Sequence, residues 1–261
     1  MNLLFFGSST RQLFGAYHAP PPTVAGRGAA VLCAPWGPEY LVAHRILRRL
    51  AARLSDSGYH VLRFDYYGTG DSGGAREEGD LASWCQDAAA AIDELRDMSG
   101  FPTVAVFGIR LGAVVGWRLA QRRPDVHTVV MWDPVASGTR YVQELLSAQT
   151  EIDRWSLSPR RPRRATDGPL DVLGFPLTRE MRQSIERVSA DEFGRAAGAR
   201  VHLFYSTELP EQTPMHAALT SAGTSFQVEM MPGQTPWRED EAVGASGLPL
   251  QVFEKMVELL P

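Results

Sequence analysis

One stretch of ten residues constrains this chain most: Val104-Ala105-Val106-Phe107-Gly108-Ile109-Arg110-Leu111-Gly112-Ala113. An apolar β-type run ends at Phe107, a Gly-x-Arg-x-Gly turn follows, and an apolar helical run goes on from Leu111 to Leu119. A strand that turns this sharply into a helix leaves no room for side chains where the two backbones meet. Glycines 108 and 112 fit that requirement. The side chain at 110 is then expected to stand above the sheet, at the mouth of a pocket. It is an arginine, with five donors, no acceptor and a permanent charge, so it cannot attack a carbonyl.

The rest of the chain supplies a frame for this turn. Asn2–Phe6 and Gln12–His18 read as a hairpin. Ala29–Ala34 reads as a short, continuously apolar strand, the pattern of a sheet covered on both faces, and His60–Phe64, Thr103–Phe107 and Thr128–Trp132 read as the strands that follow. Helices are expected at Tyr40–Ser57, from Asp80 or Leu81 to Met98, and at Leu111–Arg122. The rhythm then fails. Residues 138–195 carry an amphipathic helix (Tyr141–Ile152), an Arg/Pro-rich loop and a second helix (Thr178–Val188). Alternation resumes with strand Arg200–Tyr205, helix Pro214–Ala222, strand Phe226–Met230 and helix Leu248–Leu260. The expected fold is α/β, a doubly wound and mostly parallel sheet with a helical lid insertion. Residues 1–137 and 196–261 form the core and 138–195 the lid. In such sheets ligands bind beyond the carboxyl ends of the strands.

Composition narrows the function classes. At 261 residues, 44% hydrophobic and a formal net charge of -4, the chain can build a full core and has no general affinity for nucleic acid or anionic membrane. Cys33 and Cys85 lack metal-ligand spacing and read as buried thiols of a cytosolic protein. No metal or cofactor motif occurs. No signal-peptide pattern and no membrane-length apolar run is found, so a cytoplasmic location is expected.

The order of elements, the turn at 108–112 and the stretch Phe64-Asp65-Tyr66-Tyr67-Gly68-Thr69-Gly70-Asp71-Ser72 resemble the α/β-hydrolase superfamily. Within it the chain resembles hydrolase-like proteins found near exosortase systems and in biosynthetic gene clusters. The features shared with that branch are Tyr40-x-x-x-His44-Arg45, the Asp65 stretch, Gly108-x-Arg110-Leu111-Gly112, Trp132-Asp133-Pro134 and Gly174-Phe175-Pro176-Leu177-Thr178. The superfamily implies a triad in chain order Ser, acid, His, with the serine on a Gly-x-Ser-x-Gly elbow. Here Arg110 holds the serine position. Glu208 and Glu211 lie near the acid position, with Asp133 one strand earlier. After strand Phe226–Met230 the sequence runs Pro232-Gly233-Gln234-Thr235, and no histidine occurs after His216. Covalent acyl transfer lacks both nucleophile and base.

The remaining chemistry centres on Arg110. Either its guanidinium, at the start of a helix, binds an anionic group of a ligand, or it pairs with Asp133 or Glu39 and plugs the pocket. His44 shares a helical stripe with Leu47 and Ala51. It reads as an inward-facing proton carrier or as a structural histidine. Glu39 is a general base, a partner for Arg110 or a helix N-terminal carboxylate. Asp133 holds Arg110 or His44, or only forms the turn before Pro134. Trp36, Tyr66, Tyr67, Leu111 and Trp237 are expected to line the ligand cleft. The arginines at 154, 160, 161, 163 and 164 form either a solvated face or a docking site for an acidic acyl carrier protein or anionic substrate. The leading expectation is a small-molecule lyase of natural-product metabolism, eliminating a carboxylate such as acetate from an acidic or enolate-like substrate held by Arg110. A hydrolase or thioesterase using an activated water, and a catalytically inactive ligand- or carrier-binding protein, are the alternatives.

Overall fold

A computed structural model describes residues 1–155, 169–232 and 250–260. The chain opens with β1 (Asn2–Ser8) and β2 (Arg11–His18), an antiparallel hairpin. Then come β3 (Gly28–Cys33), α1 (Pro38–Asp56), β4 (Tyr59–Phe64), α2 (Leu81–Ser99), β5 (Val104–Ile109), α3 (Leu111–Arg122) and β6 (Val126–Trp132). An insertion follows, built from α4 (Gly138–Trp155), a hairpin of β7 (Leu170–Val172) and β8 (Phe175–Leu177), α5 (Arg179–Glu186) and a short 3-10 turn at Ala190–Glu192. The core resumes with β9 (Arg200–Tyr205), α6 (Gln212–Ser221), β10 (Phe226–Met230) and α7 (Leu250–Glu258).

The main sheet has eight strands in the order β1-β2-β4-β3-β5-β6-β9-β10. The β1–β2 and β2–β4 pairings are antiparallel and the rest parallel, which is the expected doubly wound architecture. Every residue of β3 and β5 is buried, as their unbroken apolar runs require. Helix α3 is buried along most of its length, from Leu111 to Trp117, because it packs on the sheet under α2. Trp117 also hands its indole N–H to the Glu192 carbonyl at 2.9 Å. The boundaries carry recognisable stop and start chemistry. Asp80 and Ser83 form a capping box at the head of α2, and Gly100 ends that helix in the left-handed region. Thr178 caps α5 through Met181 N–H.

The β7–β8 hairpin is absent from the sequence reading. Its strands are three residues long and one contains Pro176, too short and too irregular for a period-two signal. The Arg/Pro-rich loop, the Trp237 region and the start of the expected last helix lie outside the described residues, apart from Arg154 near the end of α4. Among the described residues no helix is long and apolar enough to cross a membrane, and no group of metal-ligating side chains forms.

Candidate functional site

The turn after β5 keeps the strained geometry of a nucleophile elbow. Arg110 is the N-cap of α3 with φ 55° and ψ −118°, an unfavourable region for a residue with a Cβ. Backbone packing enforces it. A Cβ on Gly112 would overlap the carbonyl oxygens of Cys33 and Ala34, and one on Gly108 would overlap the first turn of α3.

The sequence placed the Arg110 side chain at a pocket mouth; among the described residues it lines neither the cavity of about 590 Å³ nor that of about 460 Å³ described below. It is 8% exposed and enclosed by the insertion. Its Nε donates to Glu39 Oε1 at 2.9 Å, and one terminal nitrogen donates to the Asp133 carbonyl at 3.3 Å. The other terminal nitrogen lies 3.7 Å from Glu144 Oε2. Tyr141 of α4 donates its hydroxyl to Glu39 Oε2 at 2.8 Å, and its ring lies 5.2 Å from the guanidinium carbon. Burial opposes the guanidinium charge, but the Glu39 carboxylate, followed by Tyr141 and Asp133, outweighs it and holds Arg110 protonated well above its ordinary value. Burial, reinforced by Glu39, pushes the Tyr141 phenol well up, so it remains a hydrogen-bond donor.

The network continues outward. Arg140 bridges Glu144 at 3.0 Å and Glu211 at 2.9 Å. Glu211 stands just before α6, in the segment where the superfamily pattern places its acid. Nucleophile position, acid position and the first turn of α1 are thus joined to one helix of the insertion, by the Arg110–Glu144 and Arg140–Glu211 ion pairs and by the Tyr141–Glu39 hydrogen bond. Of the two readings open for Arg110, pairing is the one the geometry contains, with Glu39 as the close carboxylate. Asp133 contributes its carbonyl to Arg110. Its carboxylate accepts from Ser206 N–H at 2.9 Å, at a residue with φ 41°.

His44 does not turn inward. It is exposed on α1, with Nδ1 2.9 Å from the Leu41 carbonyl oxygen. The buried face of α1 is Ala43, Ile46, Leu47, Leu50, Ala51 and Leu54, which leaves His44 just outside it.

A cavity of about 590 Å³ lies against the loop between β3 and α1 and the start of α1. Trp36, Tyr40, Asp65, Tyr66 and Phe175 line it, and exposed Arg76 contributes to its edge. Two of the expected cleft residues, Trp36 and Tyr66, are therefore present. Trp36 meets Phe175 edge-on at 6.2 Å, and Tyr66 stacks flat on Trp84 at 4.0 Å. Two others are not in this lining. Leu111 is wholly buried beneath the turn, and the Tyr67 ring carries the Arg11 guanidinium at 4.4 Å. Trp237 lies outside the described residues. Asp65 shapes the cavity floor: Tyr40 donates to Oδ1 at 2.5 Å and Asp71 N–H to Oδ2 at 3.0 Å. Ser72 donates to the Asp65 carbonyl at 2.6 Å and so fixes the loop.

Tyr141, Glu144, Tyr40 and Phe175 escaped the sequence reading as site residues. Tyr40 and Phe175 stood inside quoted motifs. Tyr141 and Glu144 lie one turn apart on an amphipathic helix, a pattern that also describes a plain core face.

A family model described as "Serine aminopeptidase, S33" matches residues 43–209. Among solved structures, the chain is similar to Est1E from Butyrivibrio proteoclasticus with ferulic acid bound, at TM-score 0.69 and 16% identity, covering 98% of this chain and 96% of that one. It is also similar to the proline iminopeptidase of Mycobacterium smegmatis, at TM-score 0.67 and 13% identity, covering 99% and 97%. Likeness at these identities is likeness of fold. A curated relative, lysophosphatidylserine lipase ABHD12 of Xenopus tropicalis, is 38% identical over 79 residues, or 30% of this chain. That match spans 19% of the relative's length.

Proposed function

Because this chain belongs to the serine aminopeptidase S33 family of α/β hydrolases, we propose that it is a member whose serine chemistry has given way to ligand binding. The observation that carries this is the buried Arg110–Glu39–Tyr141 cluster in the nucleophile's place. Both Glu39 oxygens are engaged, so the carboxylate is not poised as a general base. The binding site is the cavity lined by Trp36, Tyr40 and Phe175, with Tyr66 stacked on Trp84 in its wall, a setting for an aromatic or otherwise flat apolar ligand. Arg76 at its edge suits an anionic substituent.

Ferulic acid, the ligand named for the Est1E structure, is a suitable probe because it joins a ring to a carboxylate. Titration followed by protein NMR is expected to show saturable binding that Trp36→Ala and Phe175→Ala each weaken about tenfold, near 1.4 kcal/mol. Ester and thioester substrates in oxygen-18 water are expected to yield no labelled acid, with wild type or with Arg110→Ser. Labelled acid from the wild-type protein would overturn the reading in favour of hydrolysis through an activated water.

One observation favours a second reading, the elimination of a carboxylate from an acidic or enolate-like substrate in natural-product metabolism. Glu144 covers one terminal nitrogen of Arg110 and is itself 39% exposed. A ligand carboxylate entering from the α4 side would take its place. Under this reading Arg110→Ala abolishes formation of an alkene product. Under the binding reading it leaves ligand affinity in the aromatic cavity unchanged.

A further inference from the structure

A second cavity, of about 460 Å³, opens at the opposite end of the sheet from the elbow, where β9 and β10 begin. Ala196, Ala199 and Phe226 contribute apolar wall, and Arg195, Arg200 and His202 contribute donors. Its mouth is fastened in shape. Thr224 accepts from Ala196 N–H at 3.2 Å and donates to the Gly194 carbonyl at 3.0 Å, joining the loops before β9 and β10.

His202 is the unusual member. It is 6% exposed, yet neither ring nitrogen has a hydrogen-bond partner. Gln227, its neighbour on β10, comes near the ring without completing a hydrogen bond. Burial, then the Arg200 charge, lowers the His202 pKa, so the ring is neutral near pH 7, with one N–H and one bare nitrogen. Buried polar atoms of folded proteins are nearly always paired, and an orphan invites a missing partner. Arg195 and Arg200 are exposed beside it, and neither has a carboxylate partner among the described residues. Two unpaired guanidinium groups and a buried imidazole around one concavity have matching needs: acceptor oxygens and negative charge.

We infer that this cavity is a binding site for a small organic anion, whose oxyanion group pairs with Arg195 and Arg200 and accepts the His202 N–H. The volume is within the range of small-molecule sites and leaves space beside the anionic group for an organic portion against Phe226. The inference is independent of the reading given to the elbow, which lies at the other end of the strands.

Inorganic phosphate is the first probe and acetate the second, each compared with sodium chloride at equal ionic strength. Histidine-side-chain NMR of the full chain is expected to show saturable displacement of the His202 imidazole signals by one or both oxyanions, with a matching rise in Tm. Whichever binds more tightly identifies the anionic group. Arg195→Ala and Arg200→Ala, both at exposed positions, are each expected to weaken binding about tenfold or more. His202→Phe is expected to raise Tm in anion-free buffer and to abolish the anion response, because it removes the unpaired polar ring. Three results would overturn the inference: His202 signals that move no more with phosphate or acetate than with chloride, a Tm rise without their movement, or binding that survives loss of both arginines.

Discussion

Arg110 combines two costs. Its left-handed backbone conformation is worth about 1–3 kcal/mol of strain, and its buried charge must be desolvated. Glu39 offsets the second, which makes Glu39 the residue whose loss is felt most. Glu39→Ala leaves a guanidinium in a protein interior without its close carboxylate, and urea unfolding is expected to show a loss of about 3–5 kcal/mol. Replacing all three members together, Arg110→Met, Glu39→Met and Tyr141→Phe, is expected to restore most of that loss, because no unpaired charge or hydroxyl of the cluster stays behind. A triple variant no more stable than Glu39→Ala alone would show that the cluster does not act as one unit. The pairing itself was partly legible in the sequence, since Glu39 and Asp133 were the acidic residues expected near Arg110. That Asp133 would use its carbonyl, and that Tyr141 would close the cluster, depended on contacts between residues 102 positions apart at Glu39 and Tyr141.

At the scale of elements, the elbow is held by backbone against backbone. Gly112→Ala places a Cβ against the carbonyls of Cys33 and Ala34, which cannot move without disturbing the end of β3. Loss of folded protein, or a destabilisation beyond about 4 kcal/mol in denaturant titration, is expected. Gly116→Ala, one turn further along α3, is the control. There the nearest atom is a methyl of Val106 at 3.0 Å, a side chain that can give, and the cost is expected to stay at about 1–2 kcal/mol. Strands β3 and β5 were readable because each is a short apolar run bounded by turn residues, and β6 and β9 because each is mostly apolar and ends at a turn. The misplaced element was local. His44 has the right spacing to share a stripe with Leu47 and Ala51, but the buried stripe of α1 is centred on Ala43, Leu47, Leu50 and Leu54. A helical period states which residues share a face and leaves open how wide that face is.

For the whole molecule, histidine burial sets the response to acid. Five of the six histidines, at 18, 60, 127, 202 and 216, have pKa values lowered first by burial. His18 is taken down to about 4, with Arg63 adding to the effect. The unfolded chain binds those protons from about pH 6.5 downward while the folded chain refuses them, so the unfolded state is the one favoured as protons are added. Stability is therefore expected to be full above about pH 6.5 and to decline progressively as the pH falls toward 4, on the order of 1–3 kcal/mol from His18. Urea midpoints measured across that range test this. His18→Gln is expected to flatten the slope, and an unchanged slope would count against the role given to His18.

Sequence alone determined the alternation of strand and helix, the sharp turn at 108–112, the arginine in a serine's position and the lack of a downstream histidine. Each is a matter of local period, steric need at a glycine or side-chain chemistry, and needs no partner to be read. The tertiary structure decided what that arginine touches. It brought α4 down onto the turn, closed Glu39 and Tyr141 around the charge, and left the open space beside Trp36 and at the foot of β9. Those outcomes rest on how distant surfaces meet, and no short stretch of chain carries that information.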